Sequence, residues 1–286
     1  GYLQDRFGLY LNGITLISSI LNFQTARFDK GNDLPYSLFF PTYAAIAWYH
    51  KQVPAYPNLN DLLRDAEAFA LGEYTLALMK GDKLLDSEKK GLAEKMSRMT
   101  GLSTDFLDRT HLRIEISRFT KELLRKDRKT VGRLDGRFTG FDYDYAGENY
   151  EFDPSYNAAI YGPYTSAAYQ HLTQTLGFKT ELPYEILTGR VRPWNYNNVQ
   201  NQYLNVAETL RSAMTKNPYL KVHIANGYYD LATPYFATDY TVNHMMLDKS
   251  LRTNISQSFY ESGHMMYIEK NSLVRLTEQV SAFYIP

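Results

Sequence analysis

Two segments near the C-terminus share one sequence pattern: LKVHIANGYYDLATP, Leu220–Pro234, and ISQSFYESGH, Ile255–His264. Each starts with a short strand-like run and ends in a turn with a titratable side chain, Asp230 in the first and His264 in the second. The residues between the two strands have a helical pattern. A strand, a helix and a second strand at this spacing predict a parallel sheet with covering helices, which is an α/β fold.

Other elements of the same fold are predicted on either side. The helix between the strands is predicted to have Thr233 as its N-cap and Pro234 at its first position. Near the N-terminus, the β-rich run at residues 14–20 predicts another strand, which contains Ser18 and Ser19. The last helix is predicted to bury a stripe formed by Leu273, Leu276, Val280 and Phe283.

The long stretch between the early strand and the two late strands has mainly helical patterns. Asp86 and Ser103 stand where N-caps would start two of its helices. Within it, the glycine-, aspartate- and tyrosine-rich run Arg133–Tyr156 has no period and predicts an irregular loop. Sheets of this class usually have about five or six strands, so part of the sheet is expected to lie outside this chain. Two helical stripes are predicted packing faces: Leu59, Leu62, Leu63, Ala66, Phe69 and Ala70, and Leu112, Ile116, Phe119 and Leu123.

Composition excludes several classes of protein and site. The 286 residues include 31 basic and 31 acidic side chains, a balance that argues against nucleic-acid binding. The absence of cysteine removes disulfides, thiolate zinc sites and cysteine catalysis. No run reaches the roughly 20 apolar residues of a membrane helix, so no membrane partner is expected. Metal-ligand spacing of histidines and Gly-rich phosphate loops are missing too, so we expect neither a metal nor a cofactor.

Asp230 and His264 are the candidate catalytic residues. Ligands gather at the carboxyl ends of the strands in open α/β sheets, where these two side chains would meet if their strands are neighbours. An aspartate that accepts the imidazole N–H fixes its tautomer and stabilises its protonated form during acyl transfer. The structural alternatives stay open, because aspartate is also a common turn residue and His264 could be a loop histidine without a catalytic role.

The sequence offers no serine in a nucleophile motif. The G-x-S-x-G elbow of α/β-hydrolases is missing from the chain. Ser103 is predicted to open a helix, Ser18 and Ser19 fall within the early strand, and Ser262 is too close in sequence to His264. In α/β-hydrolases the order along the chain is serine, acid and histidine, and Asp230 before His264 fits that order.

Several segments resemble the serine carboxypeptidase family, peptidase family S10, and especially its bacterial branch. NGYYDLATP and YESGHMMY resemble the acid and histidine segments of this family, and DPSYNAAIYGPYTSAAYQHLTQTLGF and PYEIL, with Trp194 after it, resemble other parts. The resemblance implies an α/β-hydrolase core with a cap inserted after the sixth strand. It also implies that Asp230 is the acid and His264 the general base. The family's G-E-S-Y-G elbow would lie just upstream of Gly1.

The resemblance divides the chain into three ranges. Residues 1–35 would be core, with the end of a helix and the sixth strand. Residues 36–200 would be the mainly helical cap insertion with its Tyr-rich loop. Residues 201–286 would be core again, with the last strands and helices and both catalytic loops. The fold expected is thus the C-terminal part of an α/β-hydrolase.

The function implied is that of a serine-type carboxypeptidase, which removes C-terminal residues from peptides by acyl-enzyme hydrolysis. The expected partners are a peptide substrate and the N-terminal segment that carries the serine. This chain alone is expected to be inactive. Resemblance also implies a secreted or periplasmic location.

Two alternatives remain at this point. An esterase or acyltransferase could use the same triad without recognising a C-terminal carboxylate. A non-catalytic binding module could use the tyrosine-rich loop Phe138–Tyr164 as a groove.

Overall fold

The computed structural model describes residues 1–284 and has a mixed α/β architecture. Residues 285 and 286, the end of the third predicted range, lie outside the described residues. The strands are β1 (Gly13–Ile17), β2 (Thr130–Val131), β3 (Thr139–Gly140), β4 (Lys221–Gly227) and β5 (Ile255–Tyr260). The helices are α1 (Tyr2–Phe7), α2 (Leu34–Tyr49), α3 (Leu59–Phe69), α4 (Thr75–Lys80), α5 (Asp86–Thr100), α6 (Thr104–Arg109), α7 (Ile116–Glu122), α8 (Gly162–Gln170), α9 (Ala207–Lys216), α10 (Tyr235–Asn243), α11 (Lys249–Arg252) and α12 (Lys270–Tyr284).

The main sheet is parallel and has the order β1-β4-β5. Val222 of β4 pairs with Ile14 of β1 on one side and with Ile255 of β5 on the other. The prediction of a parallel sheet in an α/β fold is therefore confirmed. Because the three strands run in the same direction, their carboxyl ends meet at one edge of the sheet.

Side chains of β4 alternate between the two faces of this sheet, as the period of a strand requires. Val222 and Ile224 pack in an apolar cluster with β1, α9 and the segment after α10. Ala225 lies in a separate cluster that includes Leu276 of α12. The last predicted helix is thus confirmed, although Leu273 is exposed and does not belong to its buried stripe.

The long insertion between β1 and β4 is mainly helical, as predicted. Helix α2 is buried from Pro35 to Ala47, because it is apolar around its whole circumference. The predicted stripes of α3 and of the region around α7 are buried against it. The same apolar core continues to Tyr229 and Leu231 in the turn after β4 and into α10. The insertion therefore packs directly beneath one of the two candidate catalytic loops.

Some predicted boundaries are wrong by one to three residues. β1 ends at Ile17, because Ser18 has a left-handed backbone with φ 48°. The N-cap of α10 is Pro234, and the helix begins at Tyr235 rather than at the proline. Leu85, not Asp86, is the N-cap of α5. Ser103 is the N-cap of α6 as predicted, and its hydroxyl accepts a hydrogen bond from the Phe106 amide at 3.2 Å.

The predicted irregular loop Arg133–Tyr156 is largely irregular. It contains β3, which pairs antiparallel with β2, and it leads into a wide helical turn that starts at Pro154. Lys121 of α7 binds the loop through a buried ion pair with Asp142. Among the described helices, none is both long and apolar enough to cross a membrane.

Candidate active site

Asp230 lies in the tight turn that follows β4, at the carboxyl edge of the sheet. A Cβ atom on Gly227, where this strand ends, would lie 2.3 Å from the Gly263 carbonyl oxygen, so glycine permits the close approach of the next loop. The Asp230 carboxylate is fully buried. Its Oδ1 accepts hydrogen bonds from the amides of Ala232 (2.7 Å) and Thr233 (2.9 Å), and its Oδ2 accepts one from the Thr233 hydroxyl (2.5 Å). These three donors offset the desolvation of the carboxylate.

His264 follows β5 and faces Asp230. The distance from His264 Nδ1 to Asp230 Oδ2 is 2.9 Å, and the imidazole side chain is 30 % exposed. The adjacent pairing of β4 with β5 aligns Gly227 with Tyr260, so the turns that follow the strands lie side by side. The structure thus brings together the two residues that the sequence singled out, and their catalytic roles stay predictions.

The hydrogen bond to Asp230 fixes which nitrogen of His264 is free. Nδ1–H donates to the carboxylate, so in the neutral ring Nε2 carries the lone pair. Within residues 1–284, Nε2 has no hydrogen-bond partner. A histidine held in this way can accept a proton from a hydroxyl at Nε2 while the carboxylate stabilises the imidazolium that forms.

The surroundings raise the pKa of His264 above its ordinary value of 6.5. Burial alone would lower this pKa, but the hydrogen bond and the negative charge of Asp230 outweigh it, and Arg133 opposes them weakly. Because the folded-state pKa is raised, the pair stabilises the fold fully below the ordinary pKa. That contribution is lost as the pH rises through the raised pKa.

Ser18 contacts the histidine loop, although the sequence predicted it to lie within the early strand. It directly follows β1, is buried, and donates its hydroxyl hydrogen bond to the carbonyl oxygen of His264 at 2.6 Å. Its amide donates to the Ala225 carbonyl of β4 at 2.9 Å. Ser18 therefore holds the main chain of the histidine loop and its hydroxyl is engaged there. A polar residue at the end of a strand was the only signal in the sequence.

Two other polar residues near the sheet have partners away from the imidazole. The Ser262 hydroxyl accepts a hydrogen bond from Arg137 Nη2 at 2.9 Å. His223 is buried with its ring 5.7 Å from that of Phe283 in α12, and its ring nitrogens contact the hydroxyls of Ser256 (2.8 Å) and Ser258 (3.0 Å). In the part of the chain that the structure describes, no three histidine, aspartate or glutamate side chains group as a metal site would require.

No protein-family model, curated protein or solved structure matches this chain. The geometry of Asp230 and His264 therefore carries the functional proposal.

Proposed function

We propose that this chain is the C-terminal part of a serine-type carboxypeptidase with an α/β-hydrolase fold. The observation that carries the proposal is the 2.9 Å contact between Asp230 Oδ2 and His264 Nδ1 at the carboxyl edge of a parallel sheet. The serine nucleophile would be supplied by residues upstream of Gly1. The chain order of serine, acid and histidine would then be that of α/β-hydrolases.

In this proposal His264 performs both proton transfers. Nε2 takes the serine proton as the hydroxyl attacks the scissile carbonyl, and the imidazolium then gives that proton to the departing amine. The acyl-enzyme that remains is hydrolysed by a water molecule that His264 deprotonates in the same way, and the imidazolium returns that proton to the serine oxygen as the ester bond breaks. Asp230 keeps the imidazole in the required tautomer throughout.

The edge of the sheet supports the presence of further strands in the complete protein. Within residues 1–284, β1 pairs only with β4, so its other edge is free to accept a strand. Large apolar side chains are exposed on β1 and on the segment before it, and they would be covered by such an addition: Tyr2, Leu3, Phe7, Leu9, Tyr10, Leu11 and Ile17.

The positive charge of Arg133 suits an anionic substrate group close to His264. Its positive charge acts on the imidazole and lowers the pKa of His264, against the larger effect of Asp230. Among the described residues, its guanidinium makes no salt bridge. A guanidinium whose charge acts on the imidazole suits the C-terminal carboxylate of a peptide, because guanidinium binds carboxylate through paired hydrogen bonds.

A fluorophosphonate probe tests the proposal on the complete protein, with the residues encoded upstream of Gly1 included. We expect mass spectrometry to find the label on one serine upstream of Gly1, because His264 activates that hydroxyl. Labelling should persist in Ser18→Ala and disappear in His264→Ala. The complete protein should then release C-terminal residues from free peptides and not from peptides with amidated C-termini.

Other results would contradict the proposal in distinct ways. Labelling of Ser18 would place the nucleophile within this chain. Hydrolysis of esters with no preference for a free C-terminal carboxylate would favour an esterase or acyltransferase. Absence of any labelled serine would favour a non-catalytic binding module.

A further inference from the structure

A five-residue segment of the insertion, Arg133–Arg137, lies across both loops that carry the candidate pair; we call it the clasp. Its main chain bonds to each loop. The Leu231 amide donates to the Arg133 carbonyl at 3.0 Å, beside Asp230. The His264 amide donates to the Leu134 carbonyl at 2.7 Å. The clasp thus contacts the residue after the acid and the histidine itself.

The side chains of the clasp bond to the same histidine loop. Asp135 Oδ2 accepts a hydrogen bond from the Gly263 amide at 3.1 Å. Arg137 Nη1 donates to the Glu261 carbonyl at 2.8 Å, and its Nη2 donates to the Ser262 hydroxyl at 2.9 Å. Three consecutive residues before His264 are therefore each held by one of two side chains.

Asp135 and Arg137 also form an ion pair that shields each charge from water. The distance from Arg137 Nη2 to Asp135 Oδ2 is 2.7 Å, and Nε lies 3.0 Å from Oδ1. The Arg137 side chain is only 16 % exposed and the Asp135 side chain only 5 %. Because each charge is largely buried, removal of one partner leaves the other poorly solvated. The pair therefore fixes the guanidinium in the position from which it reaches the histidine loop.

The clasp has little freedom to move. A Cβ atom on Gly263 would lie 2.4 Å from Asp135 Cβ, so the loop and the clasp are packed too closely there for a larger residue. The insertion holds the clasp from the other side, where Asp153 Oδ1 accepts from the Arg133 amide at 3.1 Å. His50, after α2, bonds through Nε2 to the Gly136 carbonyl at 2.7 Å.

We propose that Asp135 and Arg137 are positioning residues for the Asp230–His264 pair, through which the insertion sets the orientation of the imidazole. Their role in turnover rests on the proposed function, whereas their effect on the imidazole does not. Removal of either side chain frees the loop before His264 to shift. Nδ1 then moves from Asp230, the hydrogen bond between them weakens, and the carboxylate stabilises the imidazolium less.

The test measures His264 by NMR in the complete protein, with histidine labelled with ¹⁵N. In Asp135→Asn and Arg137→Gln, we expect the Nδ1–H proton to lose its strongly downfield resonance and the titration midpoint of His264 to fall. Arg137→Lys, which keeps the positive charge but replaces the planar guanidinium with a single donor nitrogen, should recover part of both signals. The control is Arg113→Gln, since Arg113 forms a similar two-point pair with Asp33 (2.7 Å for both bonds) elsewhere in the insertion. This control variant should lower the midpoint of thermal unfolding and leave both NMR signals of His264 unchanged.

Thermal unfolding separates positioning from general stability. If Asp135→Asn and Arg137→Gln fold, lower the thermal midpoint as Arg113→Gln does, and leave the His264 signals at their wild-type values, the proposal is overturned. In the complete protein, the same two variants should lower kcat by about 10²-fold with KM little changed. An inactive wild-type protein would overturn the proposed function, while the NMR comparison would still decide the role of the clasp.

Discussion

Replacing His264 with alanine is expected to lower kcat of the complete protein by about 10⁶-fold, because it removes the proposed general base for the serine proton. Asp230→Asn is expected to cost about 10⁴-fold. In that variant the backbone donors of Ala232 and Thr233 keep bonding to the amide oxygen, so the amide NH₂ faces the imidazole. Nδ1 must then accept, and the proton moves to Nε2, where it blocks the base.

Steady-state kinetics on a free peptide substrate measures both losses. KM should change little, since neither side chain is proposed to bind the remote parts of the substrate. The control is His244→Ala, because His244 is exposed at the end of α10 and its side chain contacts Tyr240, through the carbonyl (2.8 Å) and by ring stacking, rather than either candidate catalytic loop. Retention of activity within 10-fold of wild type in His264→Ala would rule out the assigned general base.

Replacing Lys121 with methionine is expected to lower the free energy of unfolding by about 3–5 kcal/mol, because the Asp142 carboxylate then lies buried without a counter-charge. Lys121 Nζ donates to Asp142 Oδ2 at 2.8 Å and also to the Asp144 carbonyl. The two charged side chains are 2 % and 4 % exposed. Urea unfolding followed by circular dichroism measures the loss.

At acid pH, the difference in free energy of unfolding between Lys121→Met and wild type should become smaller. Burial raises the pKa of Asp142, but the bond to Lys121 and backbone N–H donors outweigh it and lower that pKa below 3.8. The pair therefore stabilises wild type above the ordinary pKa, and this contribution is lost as the pH falls through the lowered value. Lys95→Met is the matched control, because Lys95 pairs with Glu73 at the surface, and it should cost no more than about 1 kcal/mol. If Lys121→Met and Lys95→Met lose the same small amount of unfolding free energy, a structural role for the buried pair is refuted.

The late strands and the meeting of Asp230 with His264 could be predicted because both depend on local patterns. β4 and β5 are short β-rich runs that end in turns, and parallel neighbours bring their carboxyl ends together whatever the rest of the chain does. The acid and the histidine are close to those ends. The strand order brings the two turns side by side.

The supporting residues could not be predicted because their contacts are distant in sequence. Ser18 lies 246 positions from His264, and Arg137 lies 125 positions from Ser262. No local period marks such a pair. The segment around the clasp was expected to be an irregular loop, and its role becomes visible only where the insertion folds back onto the sheet. The end of β1 was misjudged for a related reason, since the left-handed backbone of Ser18 is held by tertiary contacts.

The pH titration of His264 by NMR, in wild type and in Asp230→Asn, tests the coupled acid–histidine pair most directly. It requires no nucleophile. We expect the wild-type midpoint to lie above the ordinary value of 6.5 and to fall in the variant, because the hydrogen bond and charge of Asp230 raise it. A midpoint at or below 6.5 that Asp230→Asn leaves unchanged would contradict the pairing and the hydrolase proposal that depends on it.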